Sequence, residues 1–204
     1  MTGARLHIYR LAAALATAVL LLLTGGCDRL GDRLGLTGQV AALAPRPVGP
    51  ERLRVRLAAK GAQATLAPVA RDGAVTVWQT LDGITLSFRH GVLVATRGLG
   101  ADLMSADVDT TLAMLRGATY GATEGGYYPH IRTYLDGENR TVFTSYQCRR
   151  ATADATARRI EERCVSPGGA FTNIYWLDGA GAVIKSRQWV GPVIEYMETE
   201  RVMR

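Results

Sequence analysis

The chain is poor in the residues from which most metal and catalytic sites are built. It has three cysteines and three histidines in 204 residues. His7, His90 and His130 are isolated, and none lies at ligand spacing from a cysteine, so no metal site is expected. Gly-x-Ser-x-Gly and His-Glu-x-x-His are both absent, which removes the usual signatures of serine hydrolases and zinc peptidases. No catalytic residue and no cofactor are assigned. Carboxylates do occur close together, as Glu161-Glu162 and as Glu198 with Glu200. On strands, however, adjacent residues face opposite ways, and carboxylates two apart mark a solvent face. A glycosidase would need two carboxyls convergent across a sugar cleft. Repeats and low-complexity tracts are missing. Basic stripes are missing too: the formal charge is +6, and the arginines are scattered singly among apolar residues. Nucleic acid is therefore not an expected partner. Acidic polysaccharide or anionic lipid fits better, with most arginines on a solvated surface.

What the chain does have begins at its N-terminus. In MTGARLHIYRLAAALATAVLLLLTGGC, Arg5 and Arg10 precede an uncharged apolar run, Leu11 to Leu23, which is short for a membrane span. The run ends in small residues and Cys27, an arrangement that resembles a bacterial lipoprotein signal. Residues 1–26 are expected to be removed and Cys27 acylated. Each buried methylene contributes about 0.8 kcal/mol, so several acyl chains (palmitate among them) hold a protein on a bilayer. Removing Arg5 and Arg10 leaves 24 − 2 = 22 basic against 18 acidic side chains. Asp28 follows the cysteine and bears on sorting between inner and outer membrane. Residues 27–52, with three clustered prolines, read as a tether, and residues 53–204 as one domain.

With Cys27 lipidated, Cys148 and Cys164 remain as a pair in an oxidising compartment. They read as a disulfide closing a loop of 164 − 148 = 16 residues, with metal binding as the rival. The 23 glycines and 7 prolines lie without a period and suggest a turn-rich β protein. Val55–Ala59 and Gly73–Gly83 alternate. Hairpins are predicted at His90-Gly91, around Asp136-Gly137 and at Asp178–Gly181, and Ile194–Val202 reads as a last strand. Ser105–Gly117 reads as one short helix with a capping serine. Ala151–Val165 fits either a helix or a strand, and its flanking hairpins favour strand.

Strand Val92–Arg97 runs into Gly98-Leu99-Gly100, the opening of a dinucleotide loop. The third glycine is lacking, with Leu103 in its place, and Asp102 puts a negative charge where phosphate would sit. A turn after a buried strand is the expectation. Trp78, Tyr127, Tyr128, Tyr175, Trp176 and Trp189 could fill the core or stack on sugar rings, and core is favoured for the tryptophans. Alternation puts Asn173 and Tyr175 on one face and Ile174 and Trp176 on the other. It likewise separates Ser186, Gln188 and Val190 from Arg187 and Trp189. Asn173 or Gln188, if buried, would satisfy backbone groups rather than read a ligand.

GVLVATRGLGADLMSADV, residues 91–108, and FTNIYWLDGAGAVIKSRQWVGP, residues 171–192, resemble the YjbF/GfcB family of lipoproteins. The resemblance extends from about Arg54 to Val202. It rests on Thr96, Arg97, Gly98, Asp102, Asn173, Tyr175, Trp176, Ser186, Gln188 and Trp189. It implies a mainly β, antiparallel sandwich-like domain with one short helix, after a signal peptide and linker. It also implies a non-catalytic, lipid-anchored envelope protein, on the outer or the inner membrane, that serves exopolysaccharide or group 4 capsule export. Its partners would be polysaccharide export proteins, the bilayer through Cys27, and acidic polymer. A carbohydrate-binding module is the alternative, and a polysaccharide hydrolase a remoter one.

Overall fold

The computed structural model describes residues 46–118, 126–151 and 158–202. Cys27, the leader, most of the tether and residues 152–157 lie outside the described residues. Twelve strands account for most of what is described: β1 (Arg52–Leu57), β2 (Ala62–Asp72), β3 (Val75–Gln79), β4 (Thr85–Arg89), β5 (Val92–Arg97), β6 (Ser105–Ala106), β7 (Tyr128–Leu135), β8 (Thr141–Arg150), β9 (Arg159–Ser166), β10 (Gly169–Leu177), β11 (Val183–Gly191) and β12 (Glu195–Val202). One helix, α1 (Asp109–Leu115), follows β6. Among the described residues no helix is long and apolar enough to cross a membrane.

The turn chemistry explains the hairpins. His90 and Gly91 both take positive φ, 49° and 86°, as a two-residue turn with the right twist requires. Asp136 organises the β7–β8 turn by accepting from the backbone N–H of Glu138 and of Arg140, both at 2.9 Å. Asp178 does the same for Ala180 and Ala182 between β10 and β11. These backbone contacts hold both carboxyls below the usual aspartate range.

All neighbouring strands run antiparallel, in the order β5-β4-β3-β2-β1-β12-β11-β10-β9-β8-β7-β6. This corrects the expected sandwich. There is one continuous sheet rather than two, and it curls until its ends almost meet. At the seam Thr96 N–H, on β5, donates to the Leu103 carbonyl just before β6, at 2.8 Å. So many twisted strands cannot stay open and flat. Two irregularities help the curling. β2 pairs with β1 through Ala62–Leu66, then passes to β3 with a register shift between Pro68 and Ala70. β10 pairs with β11 only from Ile174 to Leu177, although both strands have nine residues.

The interior is filled from three groups of side chains. Leu53, Val55, Leu66, Trp78, Phe88, Leu93 and Met197 pack in the first. Tyr128, Ile160, Phe171 and the cysteine pair form the second, and Val92, Leu112, Tyr175 and Val183 the third. On β1 the alternate residues face water, where Arg54 meets Glu200 and Arg56 meets Glu198 across the β1–β12 ladder. Such exposed pairs contribute little.

One local expectation changes, one holds, and one strand was not foreseen. Ser105 does not cap the helix. It lies in β6 opposite Thr133, and the helix starts four residues later, with Asp107 Oδ1 accepting from Asp109 N–H. The ambiguous segment is a strand from Arg159, because it pairs with β8 and β10 at once. Strand β2, spanning Pro68, has no counterpart in the periodicity.

Candidate functional site

The face of β10 and β11 that points inward is the polar one. Asn173, Ser186 and Gln188 are fully buried, as is Tyr175. Trp176 is half-buried on the outer face, with Arg159 5.7 Å and Lys185 5.2 Å from its ring centroid. Trp189 is half-buried as well, stacked on Phe171 and edge-on to Tyr196. Of the three tryptophans, only Trp78 lies in the buried core.

The polar side chains occupy places where the backbone ladder is broken. Where β10 and β11 separate, Trp189 N–H donates to Asn173 Oδ1 at 2.8 Å, and Thr172 N–H donates to the Tyr196 hydroxyl at 3.1 Å. Across the same gap the Val190 carbonyl accepts from Tyr134 OH at 2.8 Å, and the Trp189 carbonyl accepts from Arg132. At the open edge of β5, Gln188 takes over. Its Oε1 accepts from Leu93 N–H and its Nε2 donates to the Gly91 carbonyl, each at 2.9 Å. Nε2 also reaches Ser186 Oγ at 2.8 Å, which lies 2.6 Å from Thr199 Oγ1.

Behind Asn173 lies a centre that sequence reasoning missed. Glu162 has no exposed surface. Its Oε1 accepts from Thr111 at 2.5 Å and Tyr128 at 2.8 Å, and its Oε2 from Asn173 at 2.9 Å and Tyr175 at 3.2 Å. Four donors fill the acceptor positions of one carboxylate. Burial, with Glu162 beside it, pushes the Tyr175 hydroxyl well above the usual tyrosine range. Thr111 Oγ1 also lies 3.4 Å from His130 Nδ1, and His130 Nε2 accepts from Arg132 Nε at 3.0 Å. The relay Arg132–His130–Thr111–Glu162 therefore links two buried charges through neutral groups. Desolvation, then the neighbouring Arg132, lowers His130 from its ordinary 6.5 to about 4. The Arg132 guanidinium lies 4.9 Å from the Phe171 ring centroid.

Ligand atoms of His130, Cys148 and Glu162 lie within 4.8 Å of one another. They do not fit a metal. Cys148 is bonded to Cys164, directly opposite on β9, and the histidine and carboxylate lone pairs are engaged. The trio belongs to the packing of the β7–β10 face.

The Gly98-Leu99-Gly100 loop is a turn closed by its own anion. Asp102 accepts from Gly98 N–H at 2.9 Å, Leu99 N–H at 3.1 Å and Thr96 Oγ1 at 2.7 Å. A carboxylate thus occupies the position a phosphate would take. Arg97 donates to the carbonyls of Thr96, Leu103 and Met104, tying the loop to the seam.

Cavities open on the surface among the described residues, and three of them bear on the site. One, of about 480 Å³, is bordered by Arg71, His90, Gly91, Arg116, Thr199 and Arg201. The second is apolar and small, about 170 Å³, beside Leu57, Leu86 and Met197. The third, about 590 Å³, lies among Asp102, Tyr134, Asp136, Val142, Tyr146 and Val193. The residues shared with the family resemblance do not converge on a single cavity. Asp102 borders the third; the buried Ser186 and Gln188 stand behind Thr199 and Gly91 in the wall of the first.

No curated protein matches the chain. Among solved structures, the hypothetical lipoprotein YmcC from Escherichia coli (K12) superposes with a TM-score of 0.56 at 18% identity, covering 80% of this chain and 93% of that one. At that identity the likeness shows a shared fold. The sequence model for the family described as group 4 capsule polysaccharide lipoprotein GfcB, YjbF matches residues 48–202, the whole of the described sheet. A continuous match of that extent, over the curled sheet and its buried polar joints, shows that the chain belongs to the YjbF lipoprotein family.

Proposed function

We propose that this protein is a lipid-anchored accessory factor for the assembly or export of an exopolysaccharide or capsule, and that it acts by binding rather than by chemistry. The observation that carries this is the family match over residues 48–202, whose description names a capsule polysaccharide lipoprotein. The leader supports it: Cys27 is the residue to be acylated, facing the periplasm. The outer membrane is the favoured location, and Asp28 is the feature that would retain the chain at the inner one. The partners are polysaccharide export proteins or the polymer itself.

The side chains support a non-catalytic role. Glu162 is sealed by its four donors, and Asp102 and Asp136, which border the 590 Å³ cavity, are each engaged in their own turn. The test is an affinity capture from detergent-solubilised envelope, with secreted polymer blotted from the same cultures, for wild type and Cys27→Ala. Recovery of export proteins, with less polymer outside the cell for the anchor variant, supports the proposal. Normal secretion by that variant and no recovered partner would sink it.

A carbohydrate-binding module is the second possibility. It is favoured by the accessible aromatics: Tyr127 is 50% exposed, with Arg149 over its ring, and Trp176 is half-buried between two cations.

A further inference from the structure

We propose that the 480 Å³ cavity is a binding site for an anionic saccharide, a sugar carrying a carboxylate or a phosphate. Five segments build its rim: the end of β2 with the following turn, the β4–β5 turn, the residue after α1, the β10–β11 turn and β12. Three arginines and a histidine stand on it, Arg71, Arg116, Arg201 and His90, and no carboxylate does. Glu51 lies just outside and takes part of this charge, with Oε1 2.9 Å from Arg71 Nη2. Arg201 acts on both Glu51 and Asp178 from its place on the rim. Arg116 has no acidic partner among the described residues and is exposed at the mouth. The rim is therefore net positive.

The cations are of the kind suited to recognition. Lys60 and Lys185 are the chain's only lysines, and neither borders the cavity. A guanidinium offers a planar fork that matches carboxylate or phosphate oxygens in pairs. Beneath the rim the lining is apolar, with Leu53, Trp78, Phe88 and Val183, against which the carbon face of a sugar can lie.

The walls are also held in place before any ligand arrives. Thr199 and Gly91, from separate segments of the lining, are joined by the buried chain Thr199–Ser186–Gln188–Gly91. A third segment is pressed against Gly91: a Cβ added there would lie 2.5 Å from Val183 Cβ. Preorganised walls reduce the ordering cost of binding. Two residues that carry the family resemblance, Ser186 and Gln188, thus serve as struts of the cavity.

The choice of a saccharide rests on the polysaccharide-export proposal; the charge and shape of the cavity do not. The test uses the full-length chain in uncharged detergent, titrated by calorimetry. The probes are oligogalacturonate, glucose 1-phosphate, inorganic phosphate and neutral maltohexaose. Oligogalacturonate or glucose 1-phosphate should bind, less tightly as salt is raised. Arg116→Ala with Arg201→Ala should weaken that binding roughly tenfold or more, while Lys60→Ala, outside the cavity, leaves it unchanged. Binding of the carboxylate probe alone identifies a uronate site, and of glucose 1-phosphate alone a sugar-phosphate site.

The proposal is overturned if neither anionic sugar binds up to millimolar concentration, if maltohexaose binds as well, if inorganic phosphate alone accounts for the affinity, or if the double variant binds normally. Failure here with polymer export still dependent on the protein removes only this site. Arginine-dependent binding in a strain whose export ignores the protein removes the export proposal instead.

Discussion

The side-chain amide of Gln188 binds the backbone of Leu93, 95 residues earlier in the chain, as an adjoining strand would. The same amide donates to Gly91, so one glutamine meets two backbone groups at the start of the open edge of β5. Replacing it with leucine keeps the volume and leaves a buried N–H and a carbonyl unpaired. Gln188→Leu should therefore cost about 2–4 kcal/mol, read as a lower urea midpoint with an unchanged slope. A midpoint equal to wild type would mean that water satisfies this edge.

Glu162 should be among the least replaceable residues of the domain. Glutamine matches its shape but turns an NH₂ group toward two of the four donors. Glu162→Gln should lower stability by about 3 kcal/mol, more than Glu161→Gln on the same strand. Equal effects would show that the four contacts carry no net stabilisation.

Acid should weaken the fold through His130. Its folded value lies at about 4, below the ordinary 6.5 that applies to the unfolded chain. Between those values only the unfolded state takes up the proton. The stabilisation is complete above pH 6.5, falls as pH drops through the window, and is gone below about pH 4. The loss amounts to about 3 kcal/mol at most. Because carboxylates titrate at the lower end, the test is a difference: His130→Gln should show a flatter stability profile than wild type between pH 6.5 and 4. Parallel profiles would rule the histidine out.

The Cys148–Cys164 bond should stabilise without being easy to reach. Both sulfurs are fully buried, and the loop they close is 16 residues long. Cys148→Ala with Cys164→Ala should cost about 3 kcal/mol in thermal unfolding, on the chain-entropy estimate. Thiol labelling under mild reductant should stay slow until denaturant is added. Rapid labelling of native protein would show that the β8–β9 ladder opens locally.

The hairpins were legible because Asp-Gly and His-Gly turns announce themselves in any context. Strand β2 was not, because Pro68 breaks its pattern at the point where it changes partners. For β10 and β11 the alternation separated the faces correctly. It could not say that the face with Asn173, Ser186 and Gln188 points inward, since that depends on ladder breaks in the assembled sheet. That those amides would serve backbone groups followed from their chemistry alone. Glu162 was invisible for a similar reason: its donors come from α1, β7 and β10, and nothing local distinguishes it from Glu161. The rim of the basic cavity is likewise assembled from arginines that stand far apart in the chain.

The pairing of β1 with β12 also has a consequence in time. The first and last strands sit side by side in the middle of the order, and the two halves of the chain run outward from them to the seam. While Glu195–Val202 is still being delivered, β1 and β11 each expose an unpaired edge, and the ladder that joins the two halves in mid-sheet is missing. Such late, long-range closure makes for slow folding. A chain crossing a membrane N-terminus first would pass through this half-built state every time. Losing those eight residues would remove that ladder, leaving the two meanders without a paired strand between them.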